Sequence, residues 1–162
     1  MHGASAHQLF GSSLANVGYD ASSPSQIQFV AGAPGDDANG ANAGSAYLFD
    51  SQTGNQLHHF VGNAAGDQLG AAVGYGGAFT SGFTHGMILL GAPFHDVGSN
   101  ANAGLVYCYD RDYLSLLWKT SGDTPHGKLG SLVTYWEATP SLSGPPPIQS
   151  SGVLGEPGVS SS

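Results

Sequence analysis

Short apolar runs alternate with Gly-, Asn-, Asp- and Ser-rich stretches along this chain, and none has the three-to-four spacing of an amphipathic helix. Residues 9–17 predict a first strand, ending in a polar loop over 18–25. Residues 27–31 predict a second, stopped at Gly32-Ala33-Pro34 because proline has no amide to give to a ladder. The loop 35–44 leads to a third strand, 46–49. A turn over 50–55 follows, where Asp50 and Ser51 bond back to the backbone and Gly54 takes a positive φ. Residues 56–61 predict the fourth strand.

The same four runs then recur at 69–73, 86–90, 105–109 and 113–118. Gly11 and Gly70 are 59 positions apart, as are Gly32 and Gly91; the second loop is one residue longer, so Tyr47 and Tyr107 are 60 apart. A third copy starts at Gly127-Lys128-Leu129-Gly130 and stops after Tyr135-Trp136. The organisation is therefore a lead-in over 1–8, repeats over 9–65 and 66–121, a partial third over 122–138, and a Pro/Ser/Gly-rich tail over 139–162. That tail has too little apolar surface to offset its ordering entropy and reads as flexible. Four strands per sixty-residue unit is the arithmetic of a β-propeller blade. The predicted class is all-β, with two full blades and the start of a third, incomplete as a single closed propeller. A sandwich of about nine strands is the alternative, but it needs no such self-match.

Composition narrows the function. Charged residues are only 9% against roughly 25% in an average domain. With three basic and eleven acidic residues, net charge -8, the chain cannot neutralise many phosphates, so nucleic acid and anionic membranes are not expected partners. Cys108 is the single cysteine, which excludes an internal disulfide, and its place in an apolar strand makes it a packed core thiol. Residues 1–7 carry neither a basic n-region nor an apolar h-region, and no run approaches the ~18 apolar residues of a membrane span.

The repeated block resembles the FG-GAP family, the blade of integrin α-subunit and bacterial extracellular propellers. Phe10-Gly11 and Leu69-Gly70 match the "FG" element, and Gly32-Ala33-Pro34 and Gly91-Ala92-Pro93 match "GAP". Gly44-Ser45-Ala46-Tyr47-Leu48-Phe49 and Gly104-Leu105-Val106-Tyr107-Cys108-Tyr109 are similar to the Gly-x-x-Tyr-x-Phe strand, and the resemblance spans roughly residues 7–135. It implies an extracellular or cell-surface module for adhesion or protein binding. The family's Asp-x-Asp-x-Asp-Gly calcium loop is missing: its place holds residues 16–23, with one carboxylate, and 74–79, with none. Calcium wants several carboxylates among six to eight oxygens, so that site is read as lost.

The remaining calcium candidate is the loop set Asp36, Asp37, Asn39 and Asn42, whose counterpart is Asp96, Asn100 and Asn102. Asp and Asn also cap turns and take left-handed conformations, and that reading is the one favoured. His58 and His59 are neighbours on a strand and point to opposite faces, one exposed and one packed, so one ion cannot take both. His95-Asp96 is a candidate acid–base pair without a match in the first copy, and a one-off surface histidine is the expectation. Residues 35–40 lack the Lys-Ser/Thr of a phosphate loop; Ser12-Ser13 with His7 and Asp20 lack a nucleophile elbow. No catalytic set is found. Packing between blades accounts for most of the recurring aromatics Tyr47, Phe49, Tyr107, Tyr109, Trp118 and Trp136.

The expected function is a non-catalytic recognition, adhesion or assembly module acting through rim loops and blade edges on a protein or glycan ligand. The alternatives are a structural subunit that self-associates head to tail into a ring or filament, and a hydrolase fragment built around His95 and Asp96. Two blades cannot cover their own faces, so a longer chain or further copies are expected. Residues 129–135 are the strand expected to pair with the next copy's edge.

Overall fold

The computed structural model describes residues 7–20, 23–77 and 86–134. The protein is all-β, with two antiparallel four-stranded sheets and no helix among the described residues. The first sheet runs β1 (Ser13–Asp20), β2 (Ser23–Ala33), β3 (Ser45–Asp50) and β4 (Gln56–Val61) in chain order. The second repeats it with β5 (Ala72–Gly76), β6 (Met87–Ala92), β7 (Leu105–Asp110) and β8 (Leu116–Ser121).

Register is repeated as faithfully as sequence. Leu14 pairs with Ala31, Ala31 with Tyr47 and Tyr47 with His59; Val73 pairs likewise with Leu90, Leu90 with Tyr107 and Tyr107 with Lys119. Directly opposed residues share a face, so each of these rows lies on one side of its sheet, here called the front. Ala46 and Leu48, or Val106 and Cys108, lie on the back.

The stacking follows from those faces. One core joins the back of the first sheet (Val17, Val30, Ala46, Leu48, Phe60) to the front of the second (Val73, Ile88, Leu90, Leu105, Tyr107), with Leu69 between them. Phe60 and Tyr109 meet across it at 4.8 Å between ring centroids. Fully burying a side chain such as Leu48 or Ile88 contributes about 1.5–3 kcal/mol. The back of the second sheet (Ala72, Met87, Leu89, Val106, Cys108) forms a second core, covered by Leu129 and Val133. Repeat-equivalent residues thus meet different neighbours: Leu48 faces a sheet, Cys108 a short segment. A sandwich joined by like faces would not have this front-to-back relation.

Glycine is required where segments cross. A methyl group at Gly32 would lie 2.0 Å from the Gly70 carbonyl oxygen, and one at Gly91 2.0 Å from that of Gly130. The chain connecting one sheet to the next therefore presses directly onto the preceding strand. Ser13 ties the same junction by donating to the Gly70 carbonyl at 2.7 Å.

Several expected boundaries move. The first strand starts at Ser13 rather than residue 9, because Leu9 (φ 55°) and Gly11 (φ 82°) turn the chain before it. β5 starts at Ala72 for the same reason, with Gln68 at 55° and Gly70 at 83°. Residues 18–20, expected as loop, complete β1, which is bulged between Asn16 and Tyr19, and residues 23–25, expected as the rest of that loop, begin β2. Residues 113–115 belong to a turn rather than a strand: Leu114 takes φ 54° where the first repeat uses Gly54 at 72°, and each donates to the Asp carbonyl four residues back. Residues 129–134 form no strand. Only Leu129 bridges, to Gly104, and the segment packs on its own second sheet instead of offering an edge. Tyr135, Trp136 and the tail over 139–162 lie outside the described residues.

Candidate functional site

The loops between the second and third strands carry the sequence-predicted site residues. Each is a closed turn system. Asp37 Oδ1 accepts from the Asn42 amide at 2.8 Å, and Asp96 Oδ1 from the Asn102 amide at 2.8 Å. Asn42 and Asn102 hold φ at 53° and 52°. Asn39 donates to the Gly62 and Asn63 carbonyls at 2.9 and 2.8 Å, and Asn100 to the Asp123 carbonyl at 2.9 Å. Asp36, Asp37, Asn39 and Asn42 share one loop, but the side chains of Asp36, Asp37 and Asn39 are turned to separate hydrogen bonds and Asn42 contributes its backbone amide. No group of three or more His, Cys, Asp or Glu among the described residues is placed to hold a metal.

Asp36 anchors a buried network. Its Oδ2 accepts from Gln8 Nε2 at 2.6 Å and from the Tyr47 hydroxyl, and its Oδ1 from the Ala38 amide at 2.9 Å. Burial would raise its pKa, but these donors outweigh that and hold the carboxyl below its ordinary range. Tyr47 is pushed up to about 12 by burial and by the Asp36 carboxylate. His59 stacks on Tyr47 at 4.3 Å, and its Nε2 lies 2.9 Å from Ser45 Oγ and 4.0 Å from Asp36 Oδ2. Ser, His and Asp are together, yet this is no triad: serine and carboxylate approach the same ring nitrogen, and Ser45 is fully buried. His58 and His59 do occupy opposite faces, His58 against Phe60 at 4.5 Å, but both are half-buried.

The second loop reverses the chemistry. His95 Nδ1 pairs with Asp67 Oδ2 at 2.9 Å, whereas Asp96 serves its own turn. His95 is therefore not a lone surface residue. Residues 67 and 95 are the repeat equivalents of 8 and 36, so a Gln–Asp pair in one copy is an Asp–His pair in the other. Neither Gln8 nor Asp67 stood out in the sequence; the 59-residue offset linking both positions was the signal that could have found them. Asp67 and His95 sit in a cleft of about 340 Å³, lined further by Phe94, Asp96, Ala101, Asn102 and residues 64–66. Its lining has no hydroxyl or thiol to act as nucleophile. Cys108 is buried behind the second sheet with its thiol pushed up to about 12, chiefly by burial, and is unreactive there.

The other candidate surface is the front of the first sheet. Phe10, Phe29, Tyr47 and Phe49 form a connected aromatic group on it, with Phe29 stacked on Phe49 at 5.3 Å and Phe10 edge-on to Tyr47 and Phe49 at 5.7 and 5.8 Å. Leu14 on this face is 64% exposed, while its equivalent Val73 is 8% exposed. Compared with models of known protein families and with curated proteins, the chain finds no match.

Proposed function

We propose that this chain is a non-catalytic assembly or recognition module of the FG-GAP type. Its two sheets are propeller-type blades, and it works through blade faces and rim loops. The observation that carries this reading is the front-to-back stack: the front buried at Val73 in the second sheet is exposed at the equivalent Leu14 in the first. A repeat that stacks this way always leaves one unpartnered face at each end of the array, and such faces recruit further surface. The polar clusters favour the same reading, since their side chains are spent on loop closure and on fixing one another. Extracellular or surface placement rests on the resemblance.

Stability measured by urea denaturation at low protein concentration tests the stack directly. Leu14→Asp should change it by no more than about 0.5 kcal/mol, as a surface substitution does. Val73→Asp, at the equivalent position, should cost about 3 kcal/mol or more because it places a charge in the inter-sheet core. Equal costs at the two sites would remove the basis for the blade reading.

A further inference from the structure

Three segments of the chain share one backbone shape. Leu9 and Gly11 have φ of 55° and 82°, Gln68 and Gly70 of 55° and 83°, and Lys128 and Gly130 of 51° and 92°. Two of them are seated on a preceding sheet. The Leu69 amide donates to the Ala43 carbonyl at 3.0 Å and the Leu129 amide to that of Ala103 at 2.9 Å. A methyl group at Gly70 would lie 2.1 Å from the Ser45 carbonyl oxygen, and one at Gly130 2.8 Å from that of Leu105. At Gly11 the same methyl would meet nothing within 4 Å. Leu9, at 62% exposed, and Leu14 flank that open position. Among the described residues, the first segment holds the docking conformation with no sheet seated against Gly11.

We infer that the front of the first sheet docks on a second copy of this chain. It takes the back of that copy's second sheet, in the place its own residues 128–133 now hold. The inference rests on the blade reading above and names its partner. Phe10-Gly11 aligns with Leu129-Gly130 and Leu14 with Val133, so the incoming segment presents equivalent groups to the same apolar seat. The seat is Ala72, Met87, Leu89, Val106 and Cys108. The internal interface supplies the template, since the first sheet's back already accepts the second sheet's front in this manner. An incoming copy adds Phe29 and Tyr47 behind its segment. Residues 128–133 thus act as an internal cap in competition with a second molecule. The contact joins unlike surfaces, so it propagates as a ring or an open polymer.

Light scattering from micromolar to millimolar concentration, at about 0.15 M salt to screen the negative charge, tests this. Wild-type mass should rise above 16.4 kDa with concentration. Val133→Asp, or Leu129→Ser should the first unfold, loosens the cap and should shift association to roughly tenfold lower concentration or further. Leu14→Asp, alone or combined with either, should stay monomeric. Monomers throughout for wild type and both cap variants would overturn the inference while leaving the Leu14/Val73 stability contrast standing. Association indifferent to Leu14→Asp would also overturn it. So would association that Leu14→Asp abolishes but neither cap variant strengthens, because the seat would then be elsewhere.

Discussion

The front of the first sheet and the front of the second are built from the same positions and live in different surroundings. Leu14, Ala31, Tyr47 and His59 form one row; Val73, Leu90, Tyr107 and Lys119 form the other. In the second sheet a neighbouring sheet covers the row, and Val73, Leu90 and Tyr107 are buried. In the first, Phe10 and Phe29 cover only part, and Tyr47 turns its hydroxyl to Asp36 and stacks on His59. Ala31 and Leu90 are both buried, but at the β1/β5 position Leu14 is 64% exposed and Val73 8%. At that flank, burial is decided by the neighbour a repeat meets, not by the repeat.

The crossing glycines give the largest test of that lesson. Gly32 and Gly91 are equally intolerant of a methyl group on geometry, but Gly32 is pressed by the connection to the second sheet and Gly91 by the segment 128–133. Gly32→Ala should therefore cost about 3 kcal/mol or more, while Gly91→Ala, relieved by lifting of residues 128–133, should cost about 1–2 kcal/mol. Thermal melts of the two variants suffice. Similar losses would mean that residues 128–133 are held as firmly as the second sheet.

Acid and base probe the polar half of the first front. His59 has its pKa lowered, first by burial, with Asp36 offsetting part of that. Its neutral form belongs to the fold, so the stability it contributes is present above about 6.5 and falls as pH drops below it. Asp36, also lowered, adds a further loss below about 4; Tyr47, raised to about 12, gives a loss as pH climbs beyond about 10. Urea midpoints against pH should fall on both sides of neutrality. In His59→Gln the decline just below pH 6.5 should shrink. A profile unchanged by that substitution would place the titrating group elsewhere.

The smallest effect is expected at the strand-turn position 54/114. Leu114 sits in the left-handed region that Gly54 occupies without strain. Leu114→Gly should leave stability within about 1 kcal/mol, because relief of about 1–2 kcal/mol of backbone strain is offset by chain entropy and lost packing. Gly54→Leu should cost about 1 kcal/mol by the same reasoning. Reversal of that order would show that Leu114 packing outweighs its backbone.

Much of the fold was legible. All eight strands were found from apolar runs and breakers, and the 59–60-residue offset carried the equivalence of the two sheets. The misplaced starts share one cause. Residues 9–12, 69–71 and 113–115 read as strand because they are apolar or mixed, but left-handed conformations at Leu9, Gln68 and Leu114 divert them. Apolar pattern does not report φ. Of the site, the loop residues were found but their partners were not. Gln8 reaches Asp36 across 28 positions, as does Asp67 to His95, and a polar pair so far apart leaves no local trace. Adjacency made His95-Asp96 look like the pair, but the loop turns His95 to Asp67 and Asp96 to the Asn102 amide.

The sequence by itself determined the all-β class, the four-strand unit, its duplication and the turn chemistry of each loop, because these depend on local sterics and on period-two burial. Tertiary structure decided how each face of each sheet is packed, how the Asp and His side chains pair, and that Leu129 and Val133 pack on the back of the second sheet. Those outcomes depend on which repeat stacks on which, and identical local patterns at Leu14 and Val73 contain no record of the neighbour that buries one and leaves the other in water.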